Sequence, residues 1–203
     1  MYRNTFLSVM FLACCFNGSL CAQSDAQIYE RTCDAKTYPF SDPSPVATPN
    51  NSYYPYFRFD GFSMQAQEKQ WKMVVLENDY VKLTVTPEIG GKIWGAIDKV
   101  NNKEFVYTNG VVKFRDVAMR GPWTSGGIEF NFGIIGHAPT CSTPIDYLTK
   151  KNVDGSVSCH IFSYEWITRT VWNVEINLPK DKAYFTTHTT WFNQSSIDQP
   201  YYQ

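Results

Sequence analysis

The sequence VKLTVTPEIGGKIW, residues 81–94, decides the fold class. Valine and leucine occupy every second position from Val81 to Val85, and this period of two is typical of a β-strand with one buried face. Pro87 ends that strand, and Gly90-Gly91 permit a tight bend or a bulge before a second strand from Lys92 to Ile97. The segment therefore predicts two strands joined by a short connection.

The same alternation recurs towards both ends of this segment, with polar turns between the apolar runs. No stretch of the chain shows sustained helical periodicity, so the sequence predicts an all-β protein built as an antiparallel sandwich. Further strands are predicted at Glu104–Tyr107, Gly127–Phe132, Ser156–Tyr164, Arg169–Ile176 and Tyr184–Asn193.

The N-terminus has the layout of a secretory signal peptide. Arg3 precedes an apolar run from Thr5 to Phe16, and Ala22 offers a small residue for cleavage. The run is shorter than the ~20 residues that cross a bilayer, so we expect an exported protein cleaved near Ala22, without a membrane span. Lipidation of Cys14 or Cys21 is the less favoured alternative, because the residues before Cys21 are bulky.

The composition divides the chain into three predicted parts. Residues 1–22 form the signal peptide, 23–70 form an extended arm rich in Pro, Ser and aromatic residues, and 71–203 form the sandwich. The chain closes on Tyr201-Tyr202-Gln203, which looks like the start of another strand. Because an exposed aromatic edge strand promotes aggregation, we expect the natural fold to continue past Gln203.

Charge and cysteine content exclude several classes of function. The net charge is −1 with no basic stripe, which argues against nucleic acid as a partner. The expected mature chain keeps Cys33, Cys141 and Cys159, without CxxC spacing, and three scattered histidines, so we expect neither a metal site nor a cofactor. A bridge between Cys141 and Cys159 and free thiols both remain open, as does the oligomeric state.

Aromatic residues make up 16% of the chain, which suits both sheet packing and contact with sugars. Within the strand predicted at Gly127–Phe132, a period of two places Glu129 and Asn131 on one face and the apolar residues on the other. Asn131 could bind sugar hydroxyls, and Glu129 could bind a hydroxyl or act as a base. The alternative is a solvated face with an ion pair from Glu129 to Arg120 or Lys113.

Four more side chains are candidates for a binding or catalytic site. His137 follows a glycine-containing turn and could transfer a proton, or it could cap backbone carbonyls. Trp123, on a predicted loop at the sheet edge, could stack on a pyranose or fill the core. Arg120 could bind hydroxyl or carboxylate groups, or form a surface ion pair. Asp146 could pair with Glu129 as in glycoside hydrolysis.

Several motifs resemble a known family. The sequence TPEIGGKIW (86–94) is similar to the N-terminal hairpin of galactose-mutarotase-like domains. The block GPWTSGGIEFNF (121–132), followed by GHAPT (136–140) and PIDY (144–147), resembles the DUF5107 family of exported bacterial proteins. That family is placed in the mutarotase-like superfamily, and some members carry tetratricopeptide repeats. The resemblance runs from about Tyr53 to Gln203.

The resemblance implies a β-supersandwich whose concave sheet binds sugars, of which this chain holds the N-terminal part. In mutarotases a histidine is the general acid and a glutamate is the general base, and the matching glutamate and a second histidine would lie beyond Gln203. His137, with Glu129, is then the expected catalytic group of a carbohydrate-binding or carbohydrate-processing domain. A longer form could be epimerase-, lyase- or glycosidase-like, whereas we expect the 203-residue chain to be inactive. The alternatives are a non-catalytic glycan-binding module and a structural or interaction scaffold of a larger exported protein.

Overall fold

The computed structural model describes residues 24–42, 57–58, 60–117, 121–132, 136–137, 139–165 and 168–199. These residues form β-strands and two short 3-10 turns but no α-helix, so the prediction of an all-β protein is confirmed. The strands are β1 (Gln27–Tyr38), β2 (Gln67–Glu77), β3 (Val81–Thr86), β4 (Lys92–Asp98), β5 (Lys103–Val106), β6 (Val112–Asp116), β7 (Pro122–Thr124), β8 (Asp146–Lys151), β9 (Val157–Glu165), β10 (Thr170–Leu178) and β11 (Thr186–Asn193).

The strands form two sheets. The larger sheet has seven strands in the order β5-β4-β3-β2-β1-β6-β7, and the smaller has four in the order β11-β10-β9-β8. Neighbouring strands are antiparallel, as predicted, except that β1 and β6 run parallel. After building β2 to β5 on one side of β1, the chain returns to the other side of β1, where β6 runs in the same direction as β1.

The connection between β3 and β4 forms as the sequence predicts. A 3-10 turn, Pro87–Ile89, follows β3, and Gly90 and Gly91 adopt positive φ angles of 65° and 67°. Gly91 N donates to Thr86 O at 3.0 Å, which closes the turn. Positive φ is accessible to glycine at little cost, so the two glycines allow β4 to begin at Lys92 directly beside β3.

The main core lies between the two sheets, and a second cluster packs on the outer face of the larger sheet. In β3 the alternating residues Val81, Leu83 and Val85 all enter the main core, as their period of two predicts. The buried residues of the second cluster are Trp71, Met73, Ile89, Trp94, Val112 and Phe114.

The structure differs from the predicted arm over residues 23–70. The chain is extended from Gln27 to Tyr38, but these residues form β1, which lies between β2 and β6 inside the larger sheet. The predicted boundary at Trp71 falls within β2. The sheet therefore begins at Gln27, and the predicted division between arm and sandwich does not follow a structural boundary.

The prediction of a strand at Gly127–Phe132 is wrong. Only Ile128 pairs there, in an isolated antiparallel bridge with Ile93, and the following residues are irregular. The predicted faces are nevertheless found, since Ile128, Phe130 and Phe132 pack into the main core. The alternation indicates burial on one side of the segment. Strand assignment also requires pairing with a neighbouring backbone, and among the described residues this segment has such a bridge only at Ile128.

The remaining strand predictions agree with β5, β9, β10 and β11 to within two residues at each end. Strands β6, β7 and β8 were not predicted, because they are short or polar. Cys33, Cys141 and Cys159 are free, which resolves the open question of a bridge. In the described ranges no helix is long and apolar enough to cross a membrane. The predicted signal peptide and the end of the chain at Gln203 lie outside the described residues.

Candidate functional site

A short backbone bridge brings two distant charged residues together. Ile93 in β4 and Ile128 exchange hydrogen bonds of 3.0 and 2.8 Å. In an antiparallel pair the next residues, Lys92 and Glu129, fall opposite each other on the other face. Gly127 has φ 70°, and a Cβ there would overlap Ile93 O, so glycine is needed for this close approach.

Glu129 and His137 form the centre of the site. Glu129 Oε1 lies 2.7 Å from His137 Nδ1. Because an ionised carboxylate only accepts hydrogen bonds, Nδ1 carries the proton that it donates to Glu129. The Glu129 side chain is 11% exposed and the His137 side chain 39% exposed. The imidazole is therefore fixed by a sheltered carboxylate while part of its ring remains open to solvent and to a ligand.

The backbone around His137 is held in an unusual conformation. His137 has a positive φ of 54°, which is uncommon for a residue other than glycine. Asn131 Oδ1 accepts a hydrogen bond of 2.6 Å from His137 N. Asn131 thus anchors the backbone of His137, a role different from the direct contact with sugar hydroxyls that the sequence suggests.

Trp123 borders the imidazole. It lies in the edge strand β7, opposite Arg115, and not on a loop as predicted. Its ring centroid is 5.9 Å from that of His137, with an interplanar angle of 78°. The residue is half-buried, so the indole neither fills the core, as the alternative had it, nor lies fully exposed.

Sequence reasoning missed Lys92, which is buried directly beside this group. Lys92 is 1% exposed, and its Nζ donates to Thr124 O at 2.8 Å and to Thr124 Oγ1 at 3.1 Å. Burial lowers the pKa of Lys92, and the Glu129 carboxylate partly opposes that change. The sequence shows only a lysine at the start of a strand, which is most often exposed.

Cys141 is a second neighbour that the sequence did not assign to the site. Its thiol is buried, and burial followed by the negative charge of Glu129 raises its pKa well above the ordinary value. Glu129 Oε2 is also buried and has no hydrogen-bond partner within the described part of the chain. The carboxylate therefore has one oxygen engaged by His137 and one buried oxygen without such a partner.

Of the two remaining predicted site residues, Asp146 lies apart from this group and Arg120 is not among the described residues. Asp146 begins β8 in the smaller sheet, where it is exposed and faces Phe162. The structure thus gives no support to a carboxylate pair between Asp146 and Glu129. Arg120 lies outside the described residues. Glu129 pairs with His137 rather than with Lys113, whose Nζ lies 5.1 Å from the ring of Tyr38.

The comparisons with known proteins identify the family. Residues 48–203 match the family described as a domain of unknown function (DUF5107). This chain is a member of the DUF5107 family. The match includes Lys92, Trp123, Glu129 and His137, so the whole site lies inside the DUF5107 domain. Among its described residues, no group of three or more His, Cys, Asp or Glu side chains is arranged to hold a metal ion.

A solved structure has the same fold. It is the crystal structure of a TPR-domain containing protein from Parabacteroides distasonis ATCC 8503, with a TM-score of 0.73 and 24% sequence identity. The match covers 83% of the DUF5107 chain and 29% of the other chain. At this identity the likeness shows the fold alone.

Proposed function

We propose that this DUF5107 chain binds a carbohydrate at the site formed by His137, Glu129 and Trp123, and that it is an exported, galactose-mutarotase-like domain. The observation that carries the proposal is the 2.7 Å contact between Glu129 and His137, with the Trp123 ring 5.9 Å from the imidazole. Sugar sites combine an aromatic wall with a few polar groups in fixed positions. The motifs that resemble the family contain all three residues: Trp123 and Glu129 lie in residues 121–132, and His137 lies in GHAPT (136–140).

The groups have different roles in this proposal. His137 contacts the sugar through Nε2, at a ring, glycosidic or hydroxyl oxygen, because Nδ1 is engaged by Glu129. Glu129 orients the imidazole, as a carboxylate orients histidine in hydrolytic triads. Trp123 offers apolar ring surface to the C–H face of a pyranose. Acid–base chemistry at a sugar carbon is the proposed activity of a longer form that supplies a second acid or base.

A second histidine–glutamate pair in the chain provides a matched comparison. His160 Nε2 lies 3.8 Å from Glu175 Oε1 on the smaller sheet. Ser158 donates a 2.6 Å hydrogen bond to the same Glu175 oxygen. His160 faces Leu148 and Glu175 across its strand pairs. We expect this pair to contribute to the sheet and not to sugar binding.

The proposal is tested by isothermal titration calorimetry against a panel of mono- and oligosaccharides. Replacing His137 by Ala or Glu129 by Gln should weaken binding about tenfold or more, since each loses or misorients a hydrogen bond worth about 1–3 kcal/mol. His160→Ala should bind like the wild type. If the wild type binds no sugar of the panel, the proposal is refuted and the structural or interaction scaffold is favoured instead. The proposed export is tested separately, by sequencing the N-terminus of the mature protein.

A further inference from the structure

We infer that a cavity on the outer face of the larger sheet is a second binding site, which takes a carboxylate-bearing molecule the size of one sugar unit through Arg31. The cavity is lined by none of His137, Glu129 and Trp123. The inference therefore goes beyond the proposed function and does not depend on it.

The cavity has a volume of about 300 Å³. It lies over residues of strands β1 to β5, and residues 108–112 form part of its wall. Its lining includes Met73, Trp94 and Val112, which are buried members of the second cluster. Ligand pockets usually measure about 300–1,000 Å³, so this one fits a single small molecule and not a longer chain.

Arg31 supplies the group that would bind the ligand. In β1 a period of two places it on the same face as Cys33 and Ala35, which pack against the second cluster. Arg31 is exposed, and among the described residues its guanidinium forms no ion pair and donates no side-chain hydrogen bond. A guanidinium matches a carboxylate with two parallel hydrogen bonds. The Arg31 donors are therefore available to a carboxylate that enters the cavity.

Lys82 is a second cation in the lining. It lies on the outer face because its neighbours Val81 and Leu83 enter the main core. Its Nζ lies 3.9 Å from Glu77 Oε2, but Glu77 Oε1 is held more closely by Lys99, at 2.7 Å. Lys82 is thus only weakly paired and contributes positive potential to the cavity.

The acidic residues of the lining limit the charge of the ligand. Glu104 lies on the face of Lys82, because Ile97 pairs with both residues. Asp34 is next but two to Arg31 in β1, so its side chain lies on the opposite face of the strand. Two cations and one carboxylate leave one net positive charge, which suits a carboxylate monoanion better than a phosphate dianion.

The neutral groups of the lining suit a sugar-like body. Thr84 is half-buried, and among the described residues its hydroxyl donates no hydrogen bond, so it is available to a ligand. Thr108 Oγ1 lies 3.4 Å from Trp94 O, and Asn109 Nδ2 lies 3.4 Å from Ser125 O, so this wall is tied to the neighbouring segments. An aromatic residue beside a few fixed polar groups is typical of sugar sites.

The test is protein-observed NMR of the ¹⁵N-labelled whole chain, titrated with glucuronate, glucose and glucose 6-phosphate. Glucuronate should shift the amide signals of Thr84, Gly95 and Gly110, which line the cavity, and should bind about tenfold or more tightly than glucose. Arg31→Gln should weaken glucuronate binding about tenfold or more, since it loses a charge-assisted pair of hydrogen bonds. Arg31 is exposed, and the amide spectrum of the variant shows directly whether it is folded.

Two control variants should bind glucuronate like the wild type. Lys69→Met removes a cation that lies 3.8 Å over the Trp71 ring and lines a different cavity. His137→Ala removes the imidazole of the proposed sugar site.

Three results would overturn the inference. They are glucuronate binding that Arg31→Gln leaves unchanged, shifts confined to residues around His137, and glucose or glucose 6-phosphate binding as tightly as glucuronate. A chain that binds glucuronate in this cavity but no sugar at His137 would refute the proposed function and leave the inference intact.

Discussion

Gly127 illustrates how one residue controls the site. Its φ of 70° and the overlap that a Cβ would make with Ile93 O allow only glycine beside the bridge to β4. Alanine at this position should destabilise the fold by about 1–3 kcal/mol through backbone strain. Because the bridge also aligns Glu129 with Lys92, Gly127→Ala should weaken sugar binding as well. Chemical denaturation and calorimetry measure the two effects.

Gly110→Ala is the matched control for that substitution. A Cβ at Gly110 has nothing within 4 Å, and no positive φ is found there. Alanine should leave stability unchanged or raise it by about 0.4–1 kcal/mol, because it restricts the unfolded chain. Equal stability of the Gly127 and Gly110 variants would contradict the account of the bridge.

The residues of the site differ in how far the sequence reveals them. Glu129 and Asn131 could be assigned to one face, because a period of two survives even where the segment is not a regular strand. The sequence could not show that Glu129 meets His137, since the contact depends on the positive φ of His137. It could not reveal Lys92 at all. Whether a lysine in a strand is exposed or buried depends on what packs over it, and here that is decided by pairing with a distant segment.

Strand β1 shows the same limit at the scale of an element. The sequence of β1 lacks the apolar alternation seen in β3, and only Thr37 of its twelve residues is fully buried. It nevertheless pairs with β2 in continuous register from Gln27 to Thr37, and with β6 at its end. Its place in the sheet follows from backbone pairing with strands that come later in the chain, and backbone pairing leaves little trace in the side chains.

Removal of β1 should therefore unfold the larger sheet. A variant that begins at Gln67 loses the strand between β2 and β6, and both would become unpaired edges. We expect it to aggregate or to lose its cooperative thermal transition, as followed by circular dichroism. A variant that begins at Gln23, the predicted mature N-terminus, should keep the transition. Cooperative melting of the shorter variant would show that the strands after β1 fold without it, and would support the predicted domain boundary at Trp71.

At the scale of the whole molecule, the site depends on contact between the two sheets. Phe132, which ends the segment carrying Glu129 and Asn131, stacks on Trp172 of β10 with a centroid distance of 3.9 Å and an interplanar angle of 8°. Cys159 of β9 lies in the same core cluster and is 0% exposed. Conditions that put a charge into this core should separate the sheets and disturb the site together.

Alkaline pH supplies such a charge at Cys159. Burial raises the pKa of its thiol from an ordinary value of 9.0 to about 12. The folded state therefore keeps its proton over a range in which the unfolded chain has lost it, so stability is present below pH 9 and is lost as pH rises towards 12. At 1.36 kcal/mol per pH unit, this one group should remove about 2–3 kcal/mol between pH 9 and 11.

Because tyrosines and lysines titrate in the same range, the effect must be read as a difference between variants. Cys159→Ala cannot ionise, and its small loss of packing, about 1 kcal/mol, does not depend on pH. In urea denaturation the wild type should be the more stable protein at pH 8, and its advantage should vanish and then reverse as pH rises to 11. A constant difference would mean that the thiol can reach solvent in the folded state, and hence that the sheets do not enclose Cys159 as tightly as the contact between Phe132 and Trp172 requires.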